Sequence, residues 1–107
     1  MFARIVEFRC YSGQTEELCR AVDEKVLPIL KKQRGFHDAI TLASKTDPER
    51  VLGISFWNSR EDAESYSRQE YSIIVEMLRS FCRSDPKVET FDVESSTSHR
   101  ISTGKAA

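Results

Sequence analysis

The segment 51–57 is the feature of this sequence that most constrains the fold. Its residues alternate as in a β-strand, yet apolar side chains occupy both faces of that strand. They are Leu52, Ile54 and Phe56 on one face and Val51 and Trp57 on the other. A strand that is apolar on both faces lies inside a sheet and is covered on both sides. The rest of the molecule must therefore provide two covering layers.

The other segments fall into two strand–helix–strand units around this strand. Alternating patterns predict strands, and apolar residues at helical spacing predict helices. Strands are expected over 2–9, 36–44 and 88–94, and helices over 15–33 and 59–83. Pro28 predicts an interruption of the first helix, and polar residues on the apolar face at 68–70 predict a break in the second. The order βαββαβ predicts an α+β, ferredoxin-like sandwich with both helices on one face of an antiparallel sheet.

Two helices can cover only one face of such a sheet, so the second face needs another partner. A chain of 107 residues forms one domain and has no spare element for this purpose. A second copy placed sheet against sheet would bury the face, and a symmetric homodimer is the commonest solution. We expect the domain to span 2–94. The tail 95–107 keeps some alternation at Thr97, His99 and Ile101, which suggests an arm-like fifth strand that pairs across the dimer.

Charge and cysteine usage exclude several classes of function. The net charge is −1, which argues against a nucleic-acid partner. No apolar run is long enough to span a membrane, and the N-terminus has no signal-peptide pattern, so a cytoplasmic location is expected. Cys10, Cys19 and Cys82 are widely spaced and have no histidine at a ligand spacing. They are therefore expected to be reduced thiols, without a metal or disulfide role.

Several motifs resemble those of one known family, the antibiotic biosynthesis monooxygenase domain. They are Gly35-Phe36 after a basic helix end, Trp57 at a strand end followed by Ser-Arg-Glu-Asp at 59–62, and the ending at 86–101. The resemblance covers about residues 2–101. It implies a homodimeric α/β barrel. Characterised members oxygenate polyketide aromatics such as anthrones without flavin or metal, so the resemblance implies no cofactor.

The resemblance also implies a dry pocket between sheet and helices that binds a flat aromatic molecule. Trp57 matches the strand-end tryptophan of the family, and Tyr66 and Tyr71 lie on the helical segments that would roof the pocket. His37 is the only nearby residue of the type that serves as a proton carrier near neutral pH. We therefore predict His37 and Tyr66 as catalytic residues. The predicted substrate-binding residues are Trp57, Tyr71, Phe8, Ile40, Arg68 and Met77.

The resemblance implies a cofactor-free monooxygenase of a small aromatic or quinone-like molecule, but other functions fit the same fold. A dimeric module that binds a small apolar metabolite without turnover is the main alternative, and an isomerase or lyase is a weaker one. Haem degradation, known among relatives of this family, fits poorly. Its iron-ligating histidine is missing, since residues 59–83 contain no histidine, and residues 2–9 lack the amide side chain of those enzymes.

Overall fold

The computed structural model describes residues 1–101, and they form the predicted βαββαβ sequence of elements. The strands are β1 (Phe2–Arg9), β2 (Phe36–Ala43), β3 (Arg50–Trp57) and β4 (Lys87–Asp92). The first helical region contains α1 (Thr15–Ala21), a π-helical turn (Val22–Val26) and α2 (Leu27–Lys31). The second contains α3 (Arg60–Gln69), α4 (Tyr71–Leu78) and a 3-10 turn (Arg79–Phe81).

The four strands form one antiparallel sheet in the order β2-β3-β1-β4. β1 and β3 pair along their whole length, from Phe2 opposite Trp57 to Arg9 opposite Arg50. The prediction that residues 51–57 form a central strand is confirmed. The largest fully buried side chains lie on or beside the helix-covered face: Trp57, Leu18, Leu78, Val51 and Cys10. This apolar core joins the helices to the sheet and is the main source of stability.

The first helical region is irregular where the sequence predicts an interruption. Pro28 has no backbone N–H to donate to the carbonyl of Glu24, so the regular ladder cannot continue through it. The chain widens into the π-helical turn, in which the N–H of Leu27 donates to the carbonyl of Val22. The irregularity therefore lies in the turn before the proline, and it places Val22 and Val26 against the sheet, both of them buried.

The second helical region breaks at Glu70, inside the predicted window. Glu70 leaves helical geometry (φ −120°, ψ −25°), and its carbonyl accepts from the N–H groups of Ile73 and Ile74 to start α4. At the other end of α3, Ser59 caps the helix, since its side chain accepts from the N–H of Asp62 at 3.2 Å. The break brings Tyr66 at the end of α3 close to Tyr71 at the start of α4, with 6.5 Å between ring centroids.

The sheet face away from the helices is apolar in its centre and uncovered in a single chain. We call it the open face. Its apolar side chains project from all four strands: Ile5, Ile40, Leu42, Leu52, Ile54, Phe56 and Phe91. Ile40, Leu42 and Phe91 are 44–48% exposed. Contiguous exposed apolar surface on a small domain marks a binding surface.

Beyond β4, residues 95–101 form no strand in the single chain, and 97–99 form a bend. This segment places His99 Nε2 3.3 Å from Asp38 Oδ2, at the β2 end of the open face. The predicted arm strand is therefore not formed here, and its pairing with a second chain stays a prediction. Residues 102–107, which complete the predicted tail, lie outside the described residues. Within residues 1–101, no helix is long and apolar enough to cross a membrane.

Candidate functional site

A cavity of about 60 Å³ lies between the helix-covered face of the sheet and both helical regions. Most of its wall is aliphatic or aromatic: Val6, Phe8, Val22, Val26, Leu27, Leu30, Val51, Ile74 and Leu78. A small number of polar side chains, Arg4, Thr41, Ser55, Tyr66 and Tyr71, interrupt this wall. An apolar enclosure with a few placed polar groups is the usual composition of a small-molecule site.

Arg4 carries the charge of this site, on a strand face that is otherwise apolar. Its residue is only 5% exposed, and its Nη2 donates one long hydrogen bond, 3.4 Å, to Ser67 Oγ. Among residues 1–101, no carboxylate lies within ion-pair distance of it. A buried cation without an anion is costly, because desolvation is not repaid by a counter-charge. The cavity is therefore suited to an anionic oxygen.

Two tyrosine rings pack against this guanidinium. Arg4 Cζ lies 4.0 Å from the ring centroid of Tyr71 and 5.5 Å from that of Tyr66, both within cation–π range. Burial raises the pKa of Tyr66 to about 12, against the opposing effect of Arg4, and burial also raises the pKa of Tyr71. At neutral pH both hydroxyls are therefore protonated. They can donate hydrogen bonds to a ligand, but they cannot act as resting bases.

Trp57 does not line the cavity but packs directly behind it. The ring is fully buried and stacks on Tyr66, with 4.9 Å between centroids. Its Nε1 donates to Ser55 Oγ at 2.9 Å. Because both contacts are with cavity-lining side chains, Trp57 holds Tyr66 and Ser55 in place.

Three of the predicted site residues lie away from the cavity in a single chain. His37 is the extra residue of a β-bulge between Phe36 and Asp38, is exposed, and lies against His99 with 5.3 Å between ring centroids. The bulge turns the side chain away from the helix-covered face. Arg68 is exposed on α3, and Met77 is 37% exposed on the outer side of α4.

The other predicted residues lie at the cavity. Four of them line it: Tyr66, Tyr71, Phe8 and Ile40. The side chain of Ile40 also faces the open side of the sheet, where the residue is 44% exposed. Sequence reasoning missed Arg4 and Ser55. The available signal was the charge of Arg4 in alternation with the apolar residues of β1. Within residues 1–101, no group of three His, Cys, Asp or Glu side chains could hold a metal ion.

The fold and the cavity together define a class: an α+β, ferredoxin-like protein with a partly polar, aromatic-lined cavity between sheet and helices. The family model for antibiotic biosynthesis monooxygenases matches residues 1–72. The chain belongs to this family, as its sequence motifs predict.

Solved structures share this fold over nearly the whole chain. A monooxygenase from the gene ActVA-Orf6 of Streptomyces coelicolor, in complex with nanaomycin D, is 19% identical with a TM-score of 0.77, covering 92% of each chain. SnoaB, a cofactor-independent oxygenase from Streptomyces nogalater, is 13% identical with a TM-score of 0.74 over 92% of this chain and 97% of its own. The NE2512 protein of unknown function from Nitrosomonas europaea is 14% identical with a TM-score of 0.76 over 94% and 95%. Comparison with curated proteins gives no match.

Proposed function

We propose that this protein is a cofactor-independent monooxygenase of a small hydroxyaromatic or quinone-like molecule. The observation that carries the proposal is Arg4, a buried cation that has no carboxylate partner in residues 1–101 and borders an apolar cavity beside two tyrosines. Family membership supports the reaction class, and two solved structures of this fold are described as a monooxygenase and a cofactor-independent oxygenase.

Oxygenation without a cofactor requires a substrate that itself supplies the electrons. A hydroxyaromatic with an acidic C–H, such as an anthrone, loses a proton to give a delocalised anion. That anion transfers electrons to O2 and forms a carbon-bound hydroperoxide. Loss of water then leaves a carbonyl at that carbon, so one oxygen atom enters the product and the other leaves as water. Stabilising the anion favours the first step, and a fixed cation in an apolar enclosure does this effectively.

Different cavity residues would have different roles in this reaction. Arg4 would stabilise the substrate anion. The protonated hydroxyl of Tyr66, whose pKa is raised to about 12, would donate a hydrogen bond to a second substrate oxygen. The aliphatic wall would exclude water from the carbanion. Because His37 lies outside the cavity, the substrate would give its proton to solvent water as it enters, and Arg4 would hold the resulting anion in the site.

A homodimer is part of the proposal. The open face presents apolar side chains from all four strands, among them Ile40, Leu42 and Phe91 at 44–48% exposure. A second copy covering this face would remove that surface from water at about 25 cal/mol per Å². Such a dimer would place two sheets back to back, with one cavity on the outer side of each.

A binding module without turnover is the second candidate. It is favoured by the cavity wall, which contains no histidine or carboxylate from residues 1–101. In that case the same anion site would hold an aromatic metabolite, and no oxygen would be consumed.

An oxygen electrode separates the two candidates. The protein is assayed with a panel of anthrones and hydroquinones in the presence of a metal chelator. The expected result is oxygen consumption above the protein-free rate, with one atom of ¹⁸O from labelled O2 in the product. An Arg4→Met variant should lose this activity. Tight binding of panel members without oxygen uptake would reject the monooxygenase and favour the binding module.

A further inference from the structure

A surface groove of about 360 Å³ lies on the β4 side of the cavity. The edge of β4 and the side of α3 form its walls, and its lining includes Ala63, Ser67, Val88 and Thr90. Arg4 and Tyr71 line this groove as well as the inner cavity. The groove and the cavity are therefore separated by these two side chains and share the guanidinium.

Three polar side chains form a continuous row across the helix-covered face at this point. Arg4 on β1 pairs with Ser55 on β3 and with Thr90 on β4. Ser55 lines the inner cavity, Thr90 lines the groove, and Arg4 lines both. The sheet therefore offers hydrogen-bonding groups along a path from the surface to the interior, and Arg4 supplies a charge on this path beside the cavity.

The ring of Tyr71 closes this path. It lies 4.0 Å from Arg4 Cζ, and its buried hydroxyl has no hydrogen-bond partner in residues 1–101. Because this hydroxyl makes no hydrogen bond within the described residues, packing and the contact with Arg4 hold the ring in the closed position. Tyr71 is also the first residue of α4, directly after the break at Glu70, where fewer backbone hydrogen bonds fix its position.

The volumes of the cavity and the groove indicate that a ligand needs both spaces. A cavity of about 60 Å³ is smaller than the roughly 150 Å³ cavity that admits benzene, whereas ligand sites usually span about 300–1,000 Å³. The groove alone has sufficient volume but is open to water. A ligand of two or more rings is both accommodated and shielded from water only when both spaces are joined.

We propose that the cavity and the groove form one two-part binding site, which opens when the ring of Tyr71 moves aside. The site would take a planar aromatic anion of at least two fused rings. Its phenolate or enolate oxygen would bind Arg4, and a second polar substituent would reach Thr90 in the groove. This inference rests on the proposed function and deepens it by defining the size, charge and orientation of the substrate.

Two coloured phenols and their methyl ethers test the proposal without requiring turnover. The probes are 4-nitro-1-naphthol (two rings) and 4-nitrophenol (one ring), used at a pH where both are ionised. Trp57 is the only tryptophan and lies behind the cavity, so quenching of its fluorescence reports binding. We expect Arg4→Met to weaken binding of the two-ring phenolate about 10- to 100-fold, the usual range for a lost charged hydrogen bond, and to change binding of its methyl ether little.

The position of Tyr71 is tested by association rates in stopped flow. We expect Tyr71→Ala to raise the association rate constant of 4-nitro-1-naphtholate about tenfold or more, because the free site no longer has to open. Tyr71→Phe keeps the ring and should stay near the wild-type rate. Tyr11→Ala is the matched control, since Tyr11 also lies near an arginine, Arg83, but is 50% exposed on another part of the surface.

Occupancy of the groove is tested by Thr90→Val. Thr90 is exposed, so the variant should fold normally. We expect weaker binding of the two-ring probe and unchanged binding of the one-ring probe. Equal association rates in wild type and Tyr71→Ala, or a Thr90→Val effect of equal size on both probes, would overturn the two-part site. Because these nitrophenols need not be substrates, a failure of oxygen uptake would reject the proposed function without touching this result.

Discussion

Arg4 combines a stability cost with a functional role, and the two can be separated by one substitution. Methionine is unbranched and similar in volume to arginine, and it removes the unpaired charge from a residue that is 5% exposed. Replacing a buried ion pair by apolar residues of similar volume is often neutral or stabilising by about 1–4 kcal/mol, and an unpaired buried charge lacks even the compensation of a partner. We therefore expect Arg4→Met to raise the urea midpoint while it abolishes turnover and weakens phenolate binding. A large loss of stability would mean that Arg4 acts as a structural residue.

Tyr66 makes the stability of the folded protein depend on pH in the alkaline range. Its pKa is raised to about 12 in the folded state, against about 10 in an unfolded chain. Between these values the unfolded state releases a proton that the folded state retains, so stability falls as pH rises from 10 to 12. The full difference corresponds to about 2–3 kcal/mol.

Urea titrations from pH 8 to 11.5 check this dependence. Tyr66→Phe should flatten the loss of stability above pH 10 relative to wild type. Part of the slope should persist, because burial also raises the pKa of Cys82 to about 11 and that of Tyr71 above its usual value. The exposed Tyr11→Phe should show the wild-type slope. An identical slope in Tyr66→Phe would contradict the assignment.

At the scale of elements, Gly35 joins the first helical region to β2 and lies against the start of α3. Its φ is +79°, and a Cβ atom at this position would overlap the side chain of Asp62, lying 2.6 Å from its Cβ. Gly13 has nearly the same φ, +78°, but no atom within 4 Å of the corresponding position. Gly13→Ala should therefore report the backbone strain alone, about 1–2 kcal/mol.

Gly35→Ala should cost more than Gly13→Ala, because overpacking against Asp62 adds about 1–3 kcal/mol to the same strain. Thermal unfolding of both variants measures the difference. Equal melting temperatures would show that α3 shifts to admit the methyl group. The Gly35-Phe36 motif that carries the family resemblance would then lack this packing reason.

Local chemistry explains which elements were predictable. A proline without an N–H, polar residues on an apolar helix face and a serine before acidic residues each act within one turn, so both interruptions and the cap at Ser59 follow from the sequence. The bulge at His37 does not. A single extra residue in a strand leaves the alternation readable in two ways, and only pairing with β3 decides which face His37 takes.

In the candidate site, too, local features could be predicted from the sequence and long-range ones could not. The tyrosines were predictable because the helix break at Glu70 places Tyr66 and Tyr71 together. Arg4 was not predicted as a site residue, because an arginine in a strand is usually exposed or paired. Its meaning depends on long-range facts, namely which helices cover β1 and whether any carboxylate reaches the guanidinium. Neither fact is present in the local sequence.

For the molecule as a whole, the central strands serve two surfaces at once. Alternate residues of β3 line the cavity or face the open side, as Ser55 and Ile54 do. Ile40 and Ile54 border the cavity although their side chains belong to the open face. A partner pressed against that face would therefore support the back wall of each cavity. Dimer formation and ligand binding should be coupled through these two strands.

This coupling gives the last prediction, a charged pair of substitutions on the open face. Ile40→Glu with Leu42→Glu should prevent association, since both side chains are 44–45% exposed in a single chain and would be buried with their charges in a dimer. Sedimentation should give about 12.3 kDa for this variant and about twice that mass for wild type. Ile73→Glu, at 49% exposure on α4, is the matched control and should remain dimeric.

The monomeric variant should also bind 4-nitro-1-naphtholate more weakly, because the back wall of its cavity is no longer supported. A wild-type protein that sediments at 12.3 kDa at all micromolar concentrations would refute the dimer, and a monomeric variant with unchanged affinity would refute the coupling.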